Sequence, residues 1–191
     1  LIQTALAEVE DRHKEASPEE RHSVASQIAV GALRYFMLKF TRNSVIAFDF
    51  HEALSFEGET GPYVQYAAVR AGNILRKLEE RGEKLPDFKA VLTKEALDRQ
   101  LKSSEDLWQL VLAASKVESA VERAITSDEP AHVAKYAFQL AQSFNNFYHG
   151  YPVLQEQDAE RKTFLLWLTQ YFRDQLAITL RILGIEVPVY M

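Results

Sequence analysis

Cysteine is absent from this chain of 191 residues. Disulfides, thiolate catalysis and cysteine-ligated zinc are absent with it. The lack of cysteine is compatible with a reducing cytosol, and a cytoplasmic protein is expected. No apolar run approaches the ~18 residues of a membrane span. Residues 1–20 are too charged for a signal peptide, so no membrane partner is expected. A basic excess is also missing: 22 Lys and Arg stand against 27 Asp and Glu, for a formal net charge of −5 and a pI near 5.6. Free-standing nucleic-acid binders are usually basic, because phosphate neutralisation supplies most of their affinity. The deficit argues against unspecific RNA binding. It leaves room for a domain that reads a few unstacked bases while other domains hold the phosphates.

What the chain does have is helical periodicity. Its length suits one domain, or one domain with an appendage, and can bury ~70% of the unfolded surface without a metal or disulfide. It opens on Leu1 rather than on a methionine, which suits a piece of a longer protein. Residues 1–15 read as a helix with Ile2, Leu6 and Val9 on one side. Ser17, Pro18 and Glu20 form a capping-box start for a helix running to about Lys39. Residues 30–40 are apolar nearly all round and call for burial against something larger. Residues 45–48 suit a short strand or an extended connector equally, and a short helix is expected over 51–56.

Gly58, Thr60, Gly61 and Pro62 then stop and restart the chain. Thr60 or Gly61 can cap the next helix, with Pro62 in its first turn. Ala67, Ala71, Ile74, Leu75 and Leu78 form that helix's apolar face. A loop is expected around Gly82 and Pro86, and a short helix over 94–102. A stronger helix capped by Ser104 is expected to end near Ile125, and another, capped by Asp128, carries Val133, Ala137, Leu140, Ala141 and Phe144 inward. Gly150 and Pro152 end it. The longest helix is expected over 158–183, with Leu165, Leu168, Phe172, Leu176, Leu180 and Leu183 inward and Gly184 at its C-cap. The fold class is all-α, with five or six helices from about Glu59 onward. No repeat of fixed period and no low-complexity segment appears.

No catalytic constellation is present. The five histidines lack the spacing or cysteine partners of a metal site, so no metal ligand is expected. Gly58 to Gly61 is not a phosphate loop, since no Gly-Lys-Ser/Thr follows. The strongest functional cluster is Asn145, Asn146, Tyr148, His149 and Tyr151. Aromatic faces stack on splayed bases and amides read base edges, as in recognition of single-stranded RNA loops. Composition alone favours a plainer role, in which Phe147, Tyr148 and Tyr151 plug the bundle end and the two asparagines cap it. Arg161 and Lys162, near the start of the last helix, are candidates for contact with loop phosphates, although their placement in the sequence is otherwise unremarkable. Arg70, Arg76, Lys77 and Arg81 give their helix a local basic character, or else form an ordinary solvated face paired with Glu79, Glu80 and Glu83. By their spacing Tyr63 and Tyr66 suit packing better than RNA contact.

The stretch Leu54-Ser55-Phe56-Glu57-Gly58-Glu59-Thr60-Gly61-Pro62-Tyr63-Val64-Gln65-Tyr66-Ala67 resembles the junction in arginyl-tRNA synthetases between the catalytic core and the anticodon-binding domain. Residues 30–36 resemble the family's helix after its ATP-site loop. Leu180-Arg181-Ile182-Leu183-Gly184-Ile185, with Pro188 and Met191, resembles the family's ending. The resemblance covers nearly the whole chain. It implies an anticodon-binding helical bundle at 59–191, preceded by the tail of a class I catalytic domain at 1–58. It also implies tRNA(Arg) and the rest of the catalytic domain as partners. The full-length parent would be an arginine–tRNA ligase that uses ATP and Mg. Signatures of the His-Ile-Gly-His and Lys-Met-Ser-Lys type are absent, so this chain alone is not expected to activate arginine or to bind those cofactors. The resemblance also reverses the preference at the 145–151 cluster, because Tyr148 lies where the family sets an aromatic residue beside the anticodon loop. Met191 matches a tail position used there, although Tyr190 replaces the usual basic residue. The rival reading is a helical protein-interaction module without RNA binding, supported by the acidic charge and the apolar segment 30–40.

Overall fold

A computed structural model describes residues 1–102 and 104–191. The described residues form α-helices with one short 3-10 turn, and no strand. α1 (Ile2–Arg12) and α2 (Pro18–Leu38) pair at the N-terminal side. Ser17 starts α2 as the sequence requires: its side chain accepts from the Glu20 N–H, and the Glu20 carboxylate accepts from the Ser17 N–H. No strand forms at 45–48 in the connector beyond α2, so that alternative falls away. α3 (Phe50–Leu54) follows, capped by Asp49, whose carboxylate is held below its usual range by the Glu52 and His51 N–H groups.

α4 (Gly61–Glu80) starts at Thr60, whose hydroxyl accepts from the Tyr63 N–H, which decides between the two possible caps. α4, α9 (Ala131–Gly150) and α10 (Ala159–Ile182) form the centre of the bundle. Their inward residues are the ones the periodicity selects: Ala67, Ala71 and Leu78 from α4, Leu140 and Phe144 from α9, Phe172 and Leu176 from α10. α5 (Phe88–Val91), α6 (Lys94–Lys102), α7 (Glu105–Ala114) and α8 (Val117–Ser127) wrap this centre. Asp158 caps α10 by accepting from the Arg161 N–H, and Gly184 ends it at φ 69°, a left-handed conformation suited to glycine.

Four expectations need correction. The single helix from Ser104 to Ile125 is two helices, because the chain turns at Ser115. The Tyr136 hydroxyl there lies 2.9 Å from the Ala113 carbonyl and 3.1 Å from that of Ala114, and the Ser115 hydroxyl donates to Leu112. The Ala113 and Ala114 carbonyls thus gain a tertiary partner at the turn. Ser104 stands at the α7 N-cap, but its side chain makes no capping bond. Asp128 does not cap α9; it ends α8 in the left-handed conformation, at φ 52°. Aspartate tolerates this conformation better than most side chains do. With the split and the short α5, seven helices rather than five or six follow Glu59 among the described residues.

The N-terminal helices are not a detached appendage. Tyr35 of α2 is fully buried in the main core and donates to the Ala134 carbonyl of α9 at 2.9 Å. Burial, with Glu59 beside it, pushes this phenol far above its usual pKa. Where α2 crosses α4, glycine faces glycine: a Cβ on Gly61 would fall on the Gly31 carbonyl. Beside them the buried Gln65 amide donates to Gln27 at 3.1 Å and to Glu186 at 2.8 Å, tying α2, α4 and the C-terminal tail together. The other face of α2 is open: Val30, Leu33 and Met37 are 44%, 43% and 47% exposed. Complete burial of residues 30–40 is therefore not met within this chain.

Candidate nucleic-acid interface

A groove of about 700 Å³ lies between α4, the C-terminal end of α9 and the turn after it. Its α4 wall is Tyr66, Arg70, Asn73, Lys77 and Arg81, spaced by four, three, four and four residues, which is one helical face. This face lies beside the apolar stripe that anchors α4 in the core. Its α9 wall is Tyr148 and His149, carried out of the core by Phe144 and Phe147, which stack around Phe172. The floor is the turn from Tyr151 to Gln155, where Pro152 forces Tyr151 into an extended conformation and stops the helix.

Arg70 organises the groove. It donates to the Asn145 side-chain oxygen at 2.7 Å, and its guanidinium lies 4.6 Å from the Tyr66 ring centre and 4.7 Å from that of Tyr148. Both distances suit cation–π attraction. Tyr148 keeps 39% of its surface exposed, so the residue stays accessible from solvent. Arg81 donates to the Leu154 carbonyl at 3.1 Å and holds the turn. The Tyr151 hydroxyl donates to Asp106, and burial together with this bond raises its pKa, keeping it a donor at neutral pH. No carboxylate lines the groove among the described residues, although the chain is acidic overall.

The sequence-selected residues divide in this setting. Tyr148, His149 and Tyr151 line the groove, and Asn145 supports it from behind through Arg70. Asn146 is exposed on α9 and does not line it. Arg161 stands 5.7 Å from the Tyr151 ring centre and pairs with Glu156 at 3.4 Å, while Lys162 pairs with Glu83 at 2.6 Å. Met191 lies elsewhere: with Tyr190 it packs onto the α1–α2 cluster, near Leu1, Leu6 and Leu54. Sequence reasoning undervalued Tyr66 and Arg70. The basic residues of α4 are visible in the sequence, but their common face with Tyr66 shows only when the polar positions are read at helical spacing. The solvated-face reading holds for Arg76, which pairs with Glu80 at 2.7 Å, and fails for Arg70.

Flat aromatic faces, fixed cations and amides suit nucleobases and phosphates. The known proteins that this chain is similar to agree with that chemistry. A family model described as the DALR anticodon binding domain matches residues 64–191. The arginine–tRNA ligase of Pyrococcus furiosus is 36% identical over 187 residues, which cover 98% of this chain and 29% of the relative. That of Lactococcus lactis is 37% identical over 196 aligned positions, covering 100% of this chain and 32% of the relative. The solved arginyl-tRNA synthetase of Thermus thermophilus superposes with a TM-score of 0.81 at 33% identity, covering 100% of this chain and 31% of that one. The chain thus spans about a third of the length of the ligases it matches. The family match sets aside the rival reading of an interaction module without an RNA role, and the chain belongs to the DALR anticodon-binding domain family.

Proposed function

We propose that this chain is the anticodon-reading portion of an arginine–tRNA ligase and that the Tyr148 groove receives unstacked bases of the tRNA(Arg) anticodon loop. The observation that carries this is the acid-free groove in which Arg70 holds the half-exposed Tyr148, on a domain of an anticodon-binding family. Tyr148 stacks on a base, and His149 and Tyr151 offer polar edges beside it. Arg161 and Lys162 reach phosphates by exchanging Glu156 and Glu83 for the RNA. Asn146 and Met191 are the outer contacts of the same reading.

In this reading residues 1–58 close a catalytic domain, residues 59–191 form the anticodon-binding domain, and the parent ligase works in the cytoplasm. No described helix is long and apolar enough to cross a membrane. Activation of arginine by ATP and Mg belongs to other parts of the ligase. The described residues offer no group of three His, Asp or Glu that could hold a metal ion, and the ATP signatures are missing from the sequence.

The test is a titration of the 191-residue chain and its Tyr148→Ala variant with an arginine-accepting tRNA and a non-cognate one. Loss of one stacked base costs about 1–3 kcal/mol, or roughly 5- to 150-fold in affinity. The loss should fall on the cognate RNA. Equal affinities of parent and variant for the cognate tRNA overturn the assignment.

A further inference from the structure

A second groove, of about 630 Å³, lies between α8 and the N-terminal half of α9. Lys116, at the N-cap of α8, and Arg123 of α8 line it on one side, and His132 and Lys135 of α9 on the other. No carboxylate lines it among the described residues. Glu118 and Glu122 of α8 lie outside the lining, and Asp128 and Glu129 are engaged by Arg42. Lys39, at the edge, is neutralised by Glu52 at 2.8 Å. Lys116, Arg123 and Lys135 are exposed, and among the described residues none of them pairs with a carboxylate. On a protein with 27 acidic residues, three unpaired cations in one acid-free groove call for an anionic ligand.

α9 shows where that ligand leads. Its 20 residues contain no Asp or Glu. Its exposed positions Lys135, Gln139, Gln142, Asn146 and His149 recur every three or four residues and so form a single stripe. The stripe starts at the basic groove and ends at the aromatic one. At ~1.5 Å per residue it is ~20 Å long, the rise of about six stacked nucleotides at ~3.4 Å each.

We infer that the α8–α9 groove is a second RNA site, in which Lys116, Arg123 and Lys135 neutralise backbone phosphates and the polar stripe of α9 leads the strand to the aromatic groove. The identity of the polyanion rests on the proposed anticodon function. The stripe also gives Asn146, which does not line the aromatic groove, a place along the strand.

The test compares the 191-residue chain with a triple variant, Lys116→Ala, Arg123→Ala and Lys135→Ala, all at exposed positions that leave the core intact. Affinity for cognate and non-cognate tRNA is measured across a salt series. Removing three phosphate contacts should flatten the slope of log affinity against log salt by about 2, and weaken binding about 10²-fold near 0.1 M salt. Both RNAs should lose equally, so that their ratio is unchanged. The Tyr148→Ala variant should do the converse, lowering the ratio and sparing the slope. If only the triple variant has an effect, the backbone groove stands and the base-reading assignment falls. If the triple variant keeps its affinity and slope, or polyglutamate binds as tightly as RNA, the inference is overturned. Absence of RNA binding by the unaltered chain overturns it together with the anticodon reading.

Discussion

In the aromatic groove Arg70 is fixed by Asn145 and two tyrosine rings and Arg81 by a backbone carbonyl, whereas Lys116, Arg123 and Lys135 in the α8–α9 groove project without a carboxylate partner among the described residues. The two grooves share α9, and each lacks acid in its lining. They differ in whether the cation has already lost its freedom. A clamped guanidinium has given up its rotamer entropy during folding, so it can hold a ring in one orientation and discriminate between shapes. An unclamped lysine follows whatever phosphate comes near, and its contribution is strongly screened by salt. One acidic chain can thus separate discrimination from attraction by pairing some cations and leaving others unpaired.

The contrast breaks most strongly at Arg70. Arg70→Ala removes a part-buried charged hydrogen bond and two cation–π contacts, and should cost about 2 kcal/mol of folding stability, measured by urea unfolding. The freed Tyr148 ring should then lose discrimination between RNAs while the salt slope holds. A smaller effect is expected at the corner that shapes the other groove. Tyr136→Phe leaves the Ala113 and Ala114 carbonyls without the hydroxyl and should cost about 1 kcal/mol. Amide exchange should speed up first at Lys116, whose N–H bonds to Ala113, rather than in α4.

The smallest effect sharpens the comparison through pH. Hydrogen bonds from Arg99 and Gln100 hold the Glu160 carboxylate below its usual range. A lowered folded pKa means that the stabilisation is complete above the ordinary glutamate value, ~4.3, and fades as pH falls through the lowered one. Protection of α6 amides should therefore decline only below about pH 4. Glu160→Gln should remove that dependence, and the α8–α9 groove, which has no carboxylate in its lining, should show none of it.

The helical fold was legible because the signals were local and agreed with one another. Ser17 with Glu20, Thr60 with Pro62, and Asp158 before a long apolar period each mark a start that the backbone uses. The signals that failed depend on distant residues. Nothing between Ser104 and Ile125 forbids a continuous helix; the break is supported by Tyr136, more than twenty residues from Ala113. Asp128 has the composition of an N-cap and serves as a C-terminal turn because the chain must reverse there. At the site, the 145–151 cluster was visible as composition, but its partner on α4 was not. Arg70 and Asn145 lie 75 positions apart in sequence, and their hydrogen bond follows from the packing of α4 against α9.

The meeting of Gly31 and Gly61 has a mechanical consequence. Most helix pairs touch through side chains, which act as a soft layer that changes rotamers when one helix tilts. At this crossing the layer is missing, and backbone rests on backbone with the Gln65 amide bolted alongside. A displacement of α4 at this crossing finds no side-chain layer to absorb it. The groove-bearing helix and the helix whose other face is open therefore meet without a side-chain cushion at this point.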